Sequence, residues 1–231
     1  MKPYSSDVAE RLTARHELSV RLASSQAFAP RILDVGCASG WFEYLCAGRL
    51  DSEIAAIDVE PSIVAEAQRN APHAQYAVGS VFALPFADES FDGAVMFEVI
   101  EHVPARCEVA ALKEVRRVLR PGGWLVLSTP YAHPASMLLD PAWFFGHRHY
   151  SRDRIVSILA DAGFRTVDSI VRGGLWELAG NIGLYTFKWL LRSEPPLKSV
   201  VERHRRDEFL SERAGICNIF VQAVAGQPAA G

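Results

Sequence analysis

Three groups of residues in this 231-residue chain have types and spacings suited to chemistry. The first is a turn, "ILDVGCASGWFEYL", in which an apolar run carries Asp34, passes Gly36, Cys37 and Gly40, and then becomes helical. Glycines at a strand-to-helix turn let a ligand approach the backbone closely. The second is "FEVIEHV", Phe97 to Val103, which sets Glu98, Glu101 and His102 at spacings of three and four. On a helix these would share one face. Two carboxylates and an imidazole there would suit magnesium or manganese, and are compatible with zinc. The third is a set of histidines, His133 in "TPYAHP" and His147 and His149 in "FGHRHYS". Together with His102 they are candidates for proton transfer, because an imidazole titrates near neutrality.

The glycine turn excludes two common ligands. A dinucleotide site needs G-x-G-x-x-G, and "GCASG" lacks the central glycine. A triphosphate loop needs G-K-[ST], which is absent as well. Asp58 ends the next apolar run roughly 20 residues on, where a carboxylate can accept from both hydroxyls of a ribose. A ribose acceptor without a pyrophosphate turn points to a nucleoside carrying something other than phosphate.

These residues need elements to position them. Apolar runs alternate with helical patterns, which predicts βαβ units and a parallel sheet. Strands are expected near Arg31–Val35, Glu53–Asp58, Ala74–Val78, Phe91–Phe97 and Trp124–Ser128. Helices are expected at Ser39–Arg49, Pro61–Asn70 and Arg106–Leu119, with Pro61 suited to a first helical position. "RPGG", Arg120 to Gly123, is expected to stop the third helix. A helix over Ser151–Ala162, capped by Ser151, and strands at Phe164–Val171 and about Cys217–Ala225 complete the pattern.

Composition bounds the rest. Hydrophobic residues are 49% and charged residues 22%, and the net charge is −3, without the basic excess of a dedicated nucleic-acid binder. "MKPYSSDVAERLTARHEL" has no apolar core and does not read as a signal peptide. No apolar stretch reaches the roughly 18–20 residues of a spanning helix. Cys37, Cys46, Cys107 and Cys217 form no C-x-x-C pair, so buried thiols in a reducing, cytoplasmic setting are expected.

Four stretches, in order, resemble the class I S-adenosylmethionine-dependent methyltransferases: "ILDVGCASG", "IDVEPSIVAEAQ", "GSVFALPFADESFDGAVMFEVIEHV" and "EVRRVLRPGGWLVLSTP". The resemblance runs from about Arg31 to Ser128. It implies a Rossmann-like, doubly wound seven-stranded sheet with the last strand antiparallel, and S-adenosylmethionine across the carboxyl edge of the first, second and fourth strands. It implies that Asp34, Gly36, Cys37 and Gly40 line the methionine portion and that Asp58 holds the ribose. Val59 would pack on the adenine, and Ser80 and Val81 would meet its amino group. Many relatives have Asp in place of Ser80, which makes that contact weaker or leaves it to backbone. Phe97 and Glu98 would flank the cofactor.

The E-x-x-E-H run resembles that of ubiquinone-pathway O-methyltransferases and small-RNA 2′-O-methyltransferases, some of which use a metal there. A cation held by Glu98, Glu101 and His102, with His133 as fourth ligand, would lower the pKa of an attacking hydroxyl. The same string also suits a metal-free site in which His102 caps a helix or acts as a general base.

One domain over 1–231 is expected, with a helical cover at 1–30 and an apolar helical insertion at 172–214 before the last strand. In that insertion Trp176, Tyr185, Phe187 and Trp189 suit a lid over an apolar acceptor, a peripheral membrane contact, or a core or dimer helix. The run Arg203 to Arg206 is balanced by acids and reads as a solvated face. Arg148 could pair with an acidic substrate group. The expected activity is methyl transfer to a small-molecule acceptor, lipid-like or aromatic, at an oxygen, with His102, His133 and His149 as catalytic candidates. The alternatives are an RNA methyltransferase and a non-catalytic cofactor-binding scaffold.

Overall fold

The computed structural model describes residues 8–139, 146–185 and 198–226. Seven strands form one sheet: β1 (Arg31–Val35), β2 (Glu53–Asp58), β3 (Gln75–Val78), β4 (Phe91–Phe97), β5 (Leu119–Pro130), β6 (Phe164–Arg172) and β7 (Asn218–Ala225). Their order is β3-β2-β1-β4-β5-β7-β6. The first five are mutually parallel, and β7 runs antiparallel between β5 and β6. Strand order reverses between β1 and β4, which leaves a crevice at their carboxyl ends.

The central strands are apolar on both faces because both faces are covered. Successive side chains alternate sides, so Leu33, Met96 and Leu125 enter one buried cluster while Ile32, Val95, Trp124 and Val126 enter the other. Helices α4 (Glu108–Val118) and α6 (Arg152–Asp161) pack on the first face, through Leu112, Val115, Ile155 and Ile158. Helices α1 (Ala14–Ser24) and α2 (Trp41–Cys46) pack on the second, through Val20, Ala23 and Phe42. Helix α3 (Pro61–Asn70) begins at its proline, and α6 is capped by Ser151, whose Oγ accepts the Arg154 N–H at 3.2 Å.

Two local expectations are corrected, and a third holds. Helix α2 is shorter than expected, because Gly40 is left-handed (φ +76°) and starts it, and Ala47 ends it. "RPGG" lies just past the end of α4 at Val118 and leads the chain into the next strand, as expected. It forms the bulged start of β5, where the pairing with β4 slips between Phe91 and Gly93 and Arg120 binds Asp92. Residues 98–103, expected to be helical, form a turn in which His102 donates its N–H to Val99 O at 2.9 Å.

The insertion holds α7 (Leu175–Tyr185) and α8 (Lys198–Leu210), and a short helix α5 (Pro134–Leu139) precedes α6. Glu208 on α8 accepts the N–H groups of Gly174, Trp176 and Glu177 at 2.8–2.9 Å, which satisfies donors at the start of α7. The basic run is not simply a solvated face. Arg205 is half-buried, pairing with Glu177 and Glu202 at 2.7 Å each, and Arg206 ties α8 to Glu17 on α1. Trp176 is partly exposed and stacks on His204 at 4.3 Å. The side chain of Tyr185, and Phe187 and Trp189 entirely, lie outside the described residues. No helix among the described residues is long and apolar enough to cross a membrane. The four cysteines are free, three of them buried.

Candidate functional site

A cavity of about 650 Å³ opens over the carboxyl ends of β1, β2 and β4. Gly36, Asp58, Phe97, Glu98 and Ser128 line it from the sheet. Val59, Ile63, Gly79 and Val81 form one wall, and Arg11, Arg15, His16 and Ser19 close it from the N-terminal segment. His102 stands at the same cavity.

The glycine turn is built by its surroundings. Gly36 has φ +82°, and a Cβ there would lie 2.5 Å from a Val99 methyl. The N–H groups of Gly36 and Cys37 both donate to Ile57 O at 2.9 Å, which binds the turn to β2. Asp58 accepts the N–H of Ala38 and of Glu60, each at 3.2 Å. These bonds fix its carboxylate at the cavity wall.

Gly40 has another duty. A Cβ on it would lie 2.9 Å from the Ala67 backbone, so its bareness lets α2 lie against α3. Asp34, Cys37, Gly40 and Ser80 are not among the cavity-lining residues. Asp34 and Cys37 are buried behind the turn, and Ser80 Oγ accepts the Phe82 N–H. Gly36, Asp58, Val59, Val81, Phe97 and Glu98, by contrast, all line the cavity.

The acidic pair and histidine are split by the turn. Glu98, at φ +56°, accepts from Ser128 Oγ at 2.6 Å and from Arg15 and Asn218 at 2.9 Å each. Glu101 is buried on the other side, with one oxygen accepting from Thr129 Oγ1 at 3.1 Å and the other without a hydrogen-bond partner among the described residues. Burial first, then the charge of Glu98, pushes its carboxyl well above the usual range. His102 Nε2 lies 3.2 Å from His147 Nε2. Burial, His147 and Arg148 hold the His102 imidazole below its ordinary value, so it is neutral at pH 7.

Donor atoms of Glu101, His102 and His147 lie within 4.8 Å of one another. The expected metal set is therefore corrected at two positions. Glu98 belongs to the arginine-bound cavity wall. His133 starts α5, accepting the Ala135 N–H at 3.2 Å. His149 donates its Nδ1–H to Tyr131 O at 3.1 Å, a packing role.

Arg148 is committed to the protein rather than to a substrate. Its guanidinium donates to Ile100 O (2.9 Å), Glu101 O (3.2 Å), Val103 O and Glu108 (2.5 Å). It thereby ties the histidine loop to the turn that carries Glu101 and His102.

The cover from α1 contributes residues that sequence reasoning missed. Arg15 reaches Glu98, and Arg11 reaches Glu66 on α3. His16 Nδ1 accepts the Thr13 N–H at 2.9 Å while its ring packs on Trp41 at 4.4 Å. Burial, then Arg15, lowers its pKa to about 3, so it is neutral with the hydrogen on Nε2. No motif in "TARHEL" marks these residues, because their role depends on where α1 docks.

A family profile described as "Methyltransferase domain" matches residues 33–127. An O-methyltransferase of Penicillium expansum is 33% identical over 171 residues, which is 70% of this chain and 60% of that protein. A ubiquinone biosynthesis O-methyltransferase of Xanthomonas oryzae is 37% identical over 114 residues, 47% of this chain and 46% of that one. The chain thus spans about half to three fifths of the length of these curated relatives. Among solved structures, the N-methyltransferase NodS of Bradyrhizobium japonicum in complex with S-adenosyl-L-homocysteine superposes with a TM-score of 0.61 at 20% identity. That match covers 91% of this chain and 85% of the other.

Proposed function

We propose that this chain, which belongs to the class I S-adenosylmethionine-dependent methyltransferase family, binds S-adenosylmethionine in the cavity over β1, β2 and β4 and methylates a small molecule at an oxygen. The observation that carries the reading is that one cavity has the carboxylate of Asp58 on its wall and the imidazole of His102 also at its lining. Gly36, bare and at positive φ, lines the same cavity, where a Cβ would press on Val99.

In this reading Asp58 accepts from the ribose hydroxyls, and Val59, Ile63 and Val81 pack on the adenine. Gly36, Phe97 and the Glu98–Arg15 pair receive the amino-acid end. Bound there, the cofactor supplies an electrophilic methyl group on a sulfonium. His102 takes the proton of the acceptor hydroxyl, and His147 shares a hydrogen bond with it. Positioning of the nucleophile in line with the methyl supplies the rest of the rate. Oxygen as acceptor atom is supported by the E-x-x-E-H string and by the relatives' names. The net charge of −3 offers no support for an RNA acceptor.

A metal-assisted version is favoured by one feature, the unpartnered buried oxygen of Glu101 beside His102 and His147. Those three residues would hold a magnesium or manganese ion, and the ion would acidify the acceptor hydroxyl. Calorimetric titration with S-adenosylmethionine and S-adenosylhomocysteine, with and without EDTA, tests the reading. Binding of both is expected. Binding of neither would overturn the cofactor assignment.

A further inference from the structure

One corner of the cavity is aromatic, and proton transfer does not use it. Trp41, the first residue of α2, and Phe97, the last of β4, both line the cavity, together with His16 of α1. The Trp41 ring lies 4.4 Å from that of His16 and 5.6 Å from that of Phe97, centroid to centroid, each pair tilted. Phe42 is fully buried and packs behind both, 5.9 Å from Trp41 and 5.8 Å from Phe97. Core packing thus fixes the two lining rings from the rear.

The formal charges around this corner are already paired. Arg15 meets Glu98 at 2.9 Å, and the same carboxylate accepts from Ser128 and Asn218. Arg11 is paired with Glu66. His16 adds no charge, because its Nδ1 accepts the Thr13 N–H at 2.9 Å and so carries no proton of its own. What the corner offers a ligand is therefore the faces of its rings, and an aromatic face is the negative side of the ring quadrupole.

We propose that Trp41 and Phe97, backed by Phe42 and flanked by His16, recognise the positive charge of the sulfonium and so shift the balance of affinity from S-adenosylhomocysteine towards S-adenosylmethionine. The inference rests on the cofactor reading above, in which Asp58 takes the ribose and Gly36, Phe97 and the Glu98–Arg15 pair take the amino-acid end. The sulfur joins those two ends. Phe97 immediately precedes Glu98 and Trp41 follows the glycine turn, so the rings border the groups that hold the ligand on either side of it. A cation within about 6 Å of a ring centroid is attracted by the ring face, most strongly by that of tryptophan. When the methyl passes to the acceptor oxygen, the electron pair of the broken C–S bond stays on sulfur, which becomes an uncharged thioether. The rings then lose their hold, and the corner favours the donor over the spent product.

The experiment is a pair of calorimetric titrations, with S-adenosylmethionine and with S-adenosylhomocysteine, on the wild type, Trp41→Leu, Trp41→Phe and Phe97→Leu. The ratio of the two affinities is the readout, because lost packing weakens both ligands alike and leaves the ratio where it was. Asp58 is intact in every variant, so its field cancels in the comparison. Trp41→Leu should weaken S-adenosylmethionine about 2- to 30-fold more than S-adenosylhomocysteine. Trp41→Phe keeps an aromatic face and should shift the ratio less. Phe97→Leu is the second variant, should Trp41→Leu not fold, and its ratio should move in the same direction. An unchanged ratio in the leucine variants overturns the proposal, as does a shift in Trp41→Phe as large as that in Trp41→Leu. Failure of the wild type to bind either ligand would instead overturn the cofactor reading and this inference with it.

Discussion

Gly40→Ala separates two duties that a glycine in this turn could have. The structure assigns Gly40 to packing, since a Cβ there would lie 2.9 Å from the Cα and the carbonyl oxygen of Ala67. These are backbone atoms of α3 and cannot rotate aside. The residue also sits at φ +76°, which costs an L-residue about 1–2 kcal/mol. Forcing a methyl into a packed contact adds about 1–3 kcal/mol. The combined destabilisation is about 2–5 kcal/mol, or roughly 5–15 °C in Tm for a protein of this length. Differential scanning calorimetry would measure it. A titration with S-adenosylhomocysteine at 10 °C, where the variant remains folded, should show affinity within about tenfold of wild type, because Gly40 does not line the cavity. An unchanged Tm with a large loss of affinity would refute the packing argument. Gly36→Ala is the contrast. Its Cβ would press on the Val99 side chain, 2.5 Å from one methyl, at a position that also lines the cavity, so affinity should fall together with stability.

Asp58→Ala should weaken S-adenosylhomocysteine binding by about 1.5–3 kcal/mol, as expected for hydrogen bonds to a charged group; calorimetry showing normal affinity would remove the ribose assignment. His102→Ala should lower turnover about 10²–10⁴-fold once an acceptor is found, whether the residue acts as base or as ligand. EDTA distinguishes the two, since only a metal site loses wild-type activity on chelation and regains it with magnesium, manganese or zinc. Arg148→Ala leaves Glu108 buried without its partner and should cost about 3–5 kcal/mol in urea unfolding. Glu108→Gln added to that variant should recover part of the loss, and no recovery would mean that the carbonyl contacts carry the effect.

The βαβ alternation was legible because it depends on local pattern, and the four motifs carried the resemblance that set Asp58, Val59 and Phe97 at the strand ends, where they line the cavity. An apolar run must become a strand buried on both faces, and a residue at its carboxyl end must face the crevice. The same logic failed at "FEVIEHV", where helical spacing suggested one face for Glu98, Glu101 and His102. The chain turns there instead, sending Glu98 to Arg15 and Asn218 and Glu101 to Thr129. Nothing local could foretell it, because Arg15 lies 83 residues before Glu98 and Asn218 lies 120 after it.

By itself, then, the sequence determined the parallel strands and the residues at their ends, which follow from periodicity and spacing along a few dozen residues, while its four motifs carried the resemblance that implied the family and the antiparallel last strand. Only the tertiary structure decided which acids face the cavity, which lie behind it, and which histidines meet. It brought α1 over the cavity with Arg15 and His16 and set Gly40 against α3. The physical reason is the same in each case. A side chain's partner and its burial are set by the docking of elements remote in the chain, and the charge it can carry follows from that burial.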